Sequence, residues 1–241
     1  MQRQIFDDYE SLSSAAADLV LETVSQNPGA VLCFATGNTP VGTYRLLIEK
    51  AHARQADFSQ CFCFGLDEWV GVPPEKSGTC HQILHEQLFK PLGVRGTQVH
   101  LFDGMTDDIS AECRRMNEMI RQKGGIDLML VGIGLNGHIG FNEPGCSPEL
   151  EAHDQELHES TLASGQHYFN EPTPIAKGLT LGLAQVRAAR TVLLLANGAG
   201  KASIIQKALE GPVTPEVPAS HLQQHKGALV MMDKAAAAQL T

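Results

Sequence analysis

The chain has 241 residues, 43% hydrophobic and 19% charged, which suits one sizeable globular domain with a full core. A net charge of -9 and the lack of any basic run argue against nucleic-acid binding, and an anionic substrate would need a locally positive site. No apolar run approaches a membrane span, and the N-terminus MQRQIFDDYESL lacks the apolar core of a signal peptide, so no membrane role is expected.

Ser11 to Ser25 is rich in Ala and Leu and stops before Asn27-Pro28-Gly29, which predicts a helix. Ala30 to Ala35 predicts a short buried strand. Thr36-Gly37-Asn38-Thr39 then leads into Pro40 and a helix from Val41 to about Arg54. Proline suits a first helical turn, where its missing N–H costs nothing. The free amides there, with the threonine hydroxyls, would make an anion site. A plain strand–turn–helix connection explains the same residues, and no Walker Gly-Lys-Ser/Thr is present.

Cys61 to Leu66 predicts the next strand, with Asp67 and Glu68 where it ends. Ligands of open parallel sheets lie beyond the carboxyl ends of the strands, so Asp67 is placed to meet one, although acidic residues also start loops without any role. Val72 to Gly78 reads as a loop, Thr79 to Phe89 as a helix, Val99 to Phe102 as a strand and Asp107 to Lys123 as a charged amphipathic helix.

The stretch Ile126 to Cys146, IDLMLVGIGLNGHIGFNEPGC, organises the chain. Its apolar start predicts a buried parallel strand. Gly132 and Gly134 follow, then Asn136, His138, Asn142 and Glu143. Glycines allow a sharp turn and close approach to a ligand. A histidine between an amide and a carboxylate is suited to proton transfer, because it titrates near neutrality and its neighbours fix its tautomer.

Residues 147–174 are polar and weakly periodic, which predicts a lid at about 147–175. His153, His158, His167, His221 and His225 have no zinc-like spacing, and no metal is expected. Ala176 to Ala189 reads as helical in part. Thr191 to Ala196 predicts a strand, followed by Asn197-Gly198-Ala199-Gly200-Lys201 and a helix to about Leu209. Lys201 at that helix start fits an anion site and a solvated turn equally well. Ala228 to Met232 predicts a last strand and Lys234 to Leu240 a short helix.

Cys33, Cys61, Cys63, Cys80, Cys113 and Cys146 contain no C-x-x-C pair and read as core thiols, which fits a cytoplasmic protein. The alternation of strands and helices predicts an α/β fold: a doubly wound, mostly parallel sheet with helices on both faces, a Rossmann-like three-layer single domain over 1–241. Four strand ends, TGNT, DEW, NGH…NE and NGAGK, converge on one edge of that sheet.

Together ATGNTP, LDEWVG, ECRR, GIGLNGHIGFNEPG, LTLGL, the Gly-Lys turn and PASHLQQH resemble the glucosamine-6-phosphate deaminase/isomerase family over nearly the whole chain. The resemblance implies that Asp67 takes the proton from carbon 2 and delivers it to carbon 1. It implies that His138, oriented by Glu143 and Asn136, moves a proton at the ring oxygen to open the sugar. Some members carry Asp where Asn136 stands; the amide still hydrogen-bonds but bears no charge. The phosphate would sit on Thr36, Gly37, Asn38 and Thr39 with Lys201. Many members have an Arg in the lid where this chain has His167-Tyr168-Phe169, so a bidentate Arg contact is absent or replaced by His167. No metal or redox cofactor is required, and the partner implied is a small amino-sugar phosphate.

Trp69 and Ser77-Gly78-Thr79-Cys80 look like the branch that acts on galactosamine 6-phosphate, with glucosamine 6-phosphate close behind. Two other readings stay open. A 6-phosphogluconolactonase-like hydrolase would use the His without an enolising base, although lactonases usually have Asp-Glu-Arg at the LDEW position. A non-catalytic sugar-phosphate sensor would keep the phosphate loop alone.

Overall fold

In the computed structural model, which describes residues 1–241, Leu32, Phe34, Leu128, Leu130, Leu193 and Leu195 face one hydrophobic core. Val31, Cys33, Met129, Val131, Val192 and Leu194 face another. Successive strand residues point to opposite faces, so both cores come from the same strands and each must be roofed by helices.

Those strands are β1 (Gln2–Phe6), β2 (Val31–Phe34), β3 (Phe62–Gly65), β4 (Asp67–Trp69), β5 (Val99–His100), β6 (Leu128–Val131), β7 (His153–Glu156), β8 (Lys177–Thr180), β9 (Thr191–Ala196) and β10 (Ala228–Asp233). The helices are α1 (Tyr9–Gln26), α2 (Pro40–Arg54), α3 (Cys80–Leu84, continued by a π-helical turn over His85–Phe89), α4 (Ile109–Gln122), α5 (Glu159–Gln166), α6 (Leu183–Ala188) and α7 (Ala202–Glu210). Parallel strands in the order β1-β10-β9-β6-β2-β3-β5 make the large sheet. α1 and α2 cover one face, and α4, α6 and α7 the other. The doubly wound three-layer fold is as expected.

The chain runs outward in one direction from β2 through β3 to β5, and in the other from β6 through β9 to β10. Where the winding reverses, between β2 and β6, the connections at the strand carboxyl ends diverge to opposite faces and leave a crevice. The TGNT turn and the Gly-His loop are the two connections that border it.

Three local expectations are corrected. The strand expected over Cys61–Leu66 is β3, but the chain does not enter a loop after it: Asp67 opens β4, which pairs antiparallel with β8 in a second sheet, β4-β8-β7. Residues 147–175 are not merely loop, since they supply β7 and α5. The helical part expected within 176–189 is α6, Leu183–Ala188, and strand β8 precedes it. Lys234 to Leu240 forms successive turns instead of a helix. There the Asp233 carboxylate takes the amides of Ala236 and Gly198, and a segment this short cannot meet the cost of helix nucleation unaided. Strand β1 is an edge strand whose residues are mostly exposed, so it carries no alternating signal.

Candidate active site

A cleft of about 380 Å³ opens over that crevice. Thr36, Gly37, Asn38, Thr39, Asp67, Gly134, His138, His167 and Lys201 all line it. Every residue expected to bind or react therefore borders the cleft, except Asn136 and Glu143, which stand behind His138.

The His138 loop is tightly built. Gly134 and His138 close it through a Gly134 N–H to His138 O bond of 3.0 Å, and Gly137 turns it with a φ of 91°. Buried Asn142 donates to Ile139 O at 2.8 Å and Leu181 O at 2.9 Å, anchoring the far end. Asn136 plays two parts: its amide donates to Glu143 Oε2 at 2.7 Å, and its carbonyl accepts the His138 backbone N–H at 3.2 Å. His138 Nδ1 faces Glu143 Oε2 at 3.4 Å and Thr161 Oγ1 at 3.2 Å. Burial raises the Glu143 carboxyl, but hydrogen bonds from His138 and Thr161, the His138 charge and the Asn136 amide outweigh it and hold the group at about 2. Glu143 is thus a fixed anion that orients the imidazole.

Asp67 is in a different setting. Burial pushes its carboxyl up to about 6, against the opposing Cys80 hydrogen bond and the His138 charge. A carboxylate that titrates near neutrality is suited to shuttle a proton. The two carboxylates of the site are driven apart by their surroundings, as an acid–base pair with separate duties needs.

At the opposite end, α2 starts on Thr39, whose hydroxyl is turned to Asn197 Oδ1 at 2.9 Å instead of capping the helix. The Gly42 N–H of its first turn donates to the Tyr9 hydroxyl at 2.8 Å, and Thr36 to Pro40, which lead into the helix, line the cleft bordered by Lys201. Lys201 Nζ donates to Ile133 O at 2.6 Å and touches no carboxylate. Burial lowers its ammonium. A helix N-terminus with an unpaired cation is a ready anion site within a chain of negative net charge. His167 is exposed at the rim. No group of three His, Cys, Asp or Glu side chains is placed to hold a metal ion.

Three contributors escaped sequence reasoning. Thr161, on α5, reaches His138 from a segment without periodicity. Tyr168 also lines the cleft, and its hydroxyl stands against Gly37 so closely that a Cβ there would lie 3.3 Å away. Cys80, read as a core thiol and as part of the galactosamine-like Ser77-Gly78-Thr79-Cys80 stretch but not as a partner of the carboxylate, lies 3.4 Å from Asp67 Oδ1. The polar run that contains Thr161 and Tyr168 was the only signal available for them.

Comparison with known proteins agrees with this geometry. A family described as "Glucosamine-6-phosphate isomerases/6-phosphogluconolactonase" matches residues 7–231. Glucosamine-6-phosphate deaminase of Rhodopirellula baltica is 39% identical over 238 residues, covering 98% of this chain and 95% of that protein. The enzyme of the same name from Lachnoclostridium phytofermentans is 42% identical over 218 residues, 90% of this chain and 92% of that one. A solved structure of a monomeric glucosamine-6-phosphate deaminase superposes with a TM-score of 0.96 at 35% identity, covering 99% of this chain and 100% of that chain. The 6-phosphogluconolactonase from Trypanosoma brucei, with a TM-score of 0.77 at 22% identity over 100% of this chain and 98% of that one, shares the fold alone. Sequence, fold and cleft lead to one conclusion: the chain is an enzyme of the glucosamine-6-phosphate isomerase/6-phosphogluconolactonase family.

Proposed function

We propose that the chain is an amino-hexose 6-phosphate deaminase that couples aldose–ketose isomerisation to release of ammonia. One observation carries the reading: a carboxyl raised to about 6 and a histidine oriented by a fixed anion border the same cleft as an unpaired lysine at a helix start. In this reading the start of α2, Thr36, Gly37, Asn38, Thr39 and Lys201 hold the phosphate. His138 transfers a proton to and from the ring oxygen and hydroxyl, opening the sugar. Asp67 removes the carbon 2 proton, giving an enolamine, and returns it to carbon 1. The resulting carbon 2 imine takes up water and expels ammonia, leaving a ketohexose 6-phosphate. Residues 147–175 act as the lid: α5 brings Thr161 to His138, and Glu143 Oε1 accepts the His158 N–H at 3.2 Å where α5 begins. His167 at the rim stands in for the lid arginine. Six free buried cysteines fit a reducing compartment.

The names of the relatives support glucosamine 6-phosphate as substrate. Galactosamine 6-phosphate is a second reading, supported by Trp69 on the cleft wall and Cys80 beside Asp67. The two sugars differ only at the carbon 4 hydroxyl, which one or two contacts can discriminate.

The test is ammonia release from both sugars by the purified protein, with Asp67→Asn as control. Release from one or both, lost in the variant, is expected. Hydrolysis of 6-phosphogluconolactone without ammonia release from either amino sugar would replace this reading with the lactonase one.

A further inference from the structure

Cys80 begins α3 within a small core beside Trp69 and Phe141 and is only 2% exposed. Its Sγ nevertheless has two polar neighbours, Asp67 Oδ1 at 3.4 Å and Thr36 Oγ1 at 3.2 Å. Both neighbours border the cleft, one in the region of the base and one in the phosphate cradle.

The placement is enforced from behind. The carboxylate of Glu68 accepts the N–H groups of Trp69 at 2.8 Å, Cys80 at 3.1 Å and His81 at 2.6 Å. Thr79 Oγ1 accepts the Gln82 N–H at 3.1 Å and caps the same turn. The first turn of α3 is therefore clamped by the residue that follows Asp67 in the chain. Burial pushes the Cys80 thiol well above its ordinary value, and the charges of Asp67 and Glu68 act in the same direction. The sulfur keeps its proton, and a protonated thiol beside a carboxylate oxygen is a donor.

We propose that Cys80 is a positioning residue for Asp67: its S–H donates to Oδ1, fixes the carboxylate rotamer so that Oδ2 meets the substrate, and links the base to Thr36. This rests on Asp67 being the proton-transfer base. Occupancy of the phosphate cradle then bears on the base through a single sulfur atom. The other titratable groups coupled to Asp67 are His138 from the loop after β6, adjacent Glu68, Cys33 from β2, Tyr44 from α2 and Tyr168 after α5. All of them are retained when only Cys80 is changed.

The experiment is the pH profile of kcat/KM for ammonia release by the full chain, with Cys80→Ala and Cys80→Ser. Removing the donor leaves burial of Asp67 less opposed. In Cys80→Ala the acid limb is expected to move up by roughly half a unit to one unit, and kcat to fall about tenfold. Cys80→Ser keeps a donor and is expected to restore the wild-type limb and most of kcat. A limb unmoved in Cys80→Ala, or one as displaced in Cys80→Ser as in Cys80→Ala, overturns the proposal. If the alanine variant does not fold, Cys80→Val, which fills the space without a donor, takes its place: an acid limb moved up supports the role, and an unmoved limb refutes it. Failure of the parent reading looks different, since wild type would then release no ammonia, or Asp67→Asn would still release it.

Discussion

Gly134 lies flat against the imidazole of His138, so that a Cβ at this position would reach Nε2, Cε1 and Cδ2 well inside 3.0 Å. The Gly134 backbone is not in the left-handed region, so alanine there meets no dihedral penalty, only the ring. Gly134→Ala is expected to fold and to bind inorganic phosphate as wild type does, with the imidazole displaced. A displacement of this kind costs on the order of a hundredfold in kcat. Steady-state kinetics with phosphate as inhibitor check it; unchanged kcat would show that the ring position does not matter.

Burial of Asp67 makes the protein less stable at neutral pH. Its folded carboxyl lies near 6 against an ordinary 3.8. A folded value above the unfolded one means that stability is fully present below pH 3.8 and is lost as the pH rises through about 6. At pH 7 the charged form costs about 3 kcal/mol. Asp67→Asn is therefore expected to be more stable than wild type at pH 7 by roughly that amount, with no advantage at pH 4, while ammonia release is abolished. Denaturant unfolding at the two pH values tests the sign.

Glu143 acts in the opposite sense. Its folded carboxyl, held at about 2 against an ordinary 4.5, contributes stability above pH 4.5 that is lost as the pH falls toward 2. The contribution at neutral pH is on the order of 3 kcal/mol. Glu143→Gln should be markedly destabilised at pH 7, with the gap to wild type closing steadily below pH 4.5. A gap that stays constant with pH would mean that the carboxylate charge is not what stabilises the loop.

Lys201 is tied to the protein only through Ile133 O. Lys201→Met should raise KM for the sugar phosphate about 10- to 100-fold, the value of one charge-assisted contact, with a smaller change in kcat. Weakened inhibition by inorganic phosphate in the same variant would confirm that the loss is at the phosphate end.

What the sequence made readable follows from distance along the chain. Asn136, His138 and Glu143 lie within eight positions, and each pair of this group is bonded in the fold as its spacing suggests. The buried strands β2, β6 and β9 are uninterrupted apolar runs, and they were legible for that reason. The second sheet was not, because Asp67, Glu68 and Trp69 find their partners at Thr180, Leu179 and Gly178, and three residues carry no period. Cys80 was hidden by its own chemistry: the burial that marks a core cysteine also keeps its proton in place beside Asp67. The alanine-rich tail misled in the other direction, since propensity over seven residues is weaker than the Asp233 carboxylate holding Ala236.

A single residue, Leu66, separates β3 from β4. Its N–H is bonded to Phe34 O of the large sheet at 3.0 Å, and its carbonyl accepts the Leu181 N–H after β8 at 2.9 Å. Asp67 is the next residue, so its carboxylate is geared to both sheets at once. Shear between them, such as a mutation in β8 would cause, is delivered to the carboxylate with no slack in between.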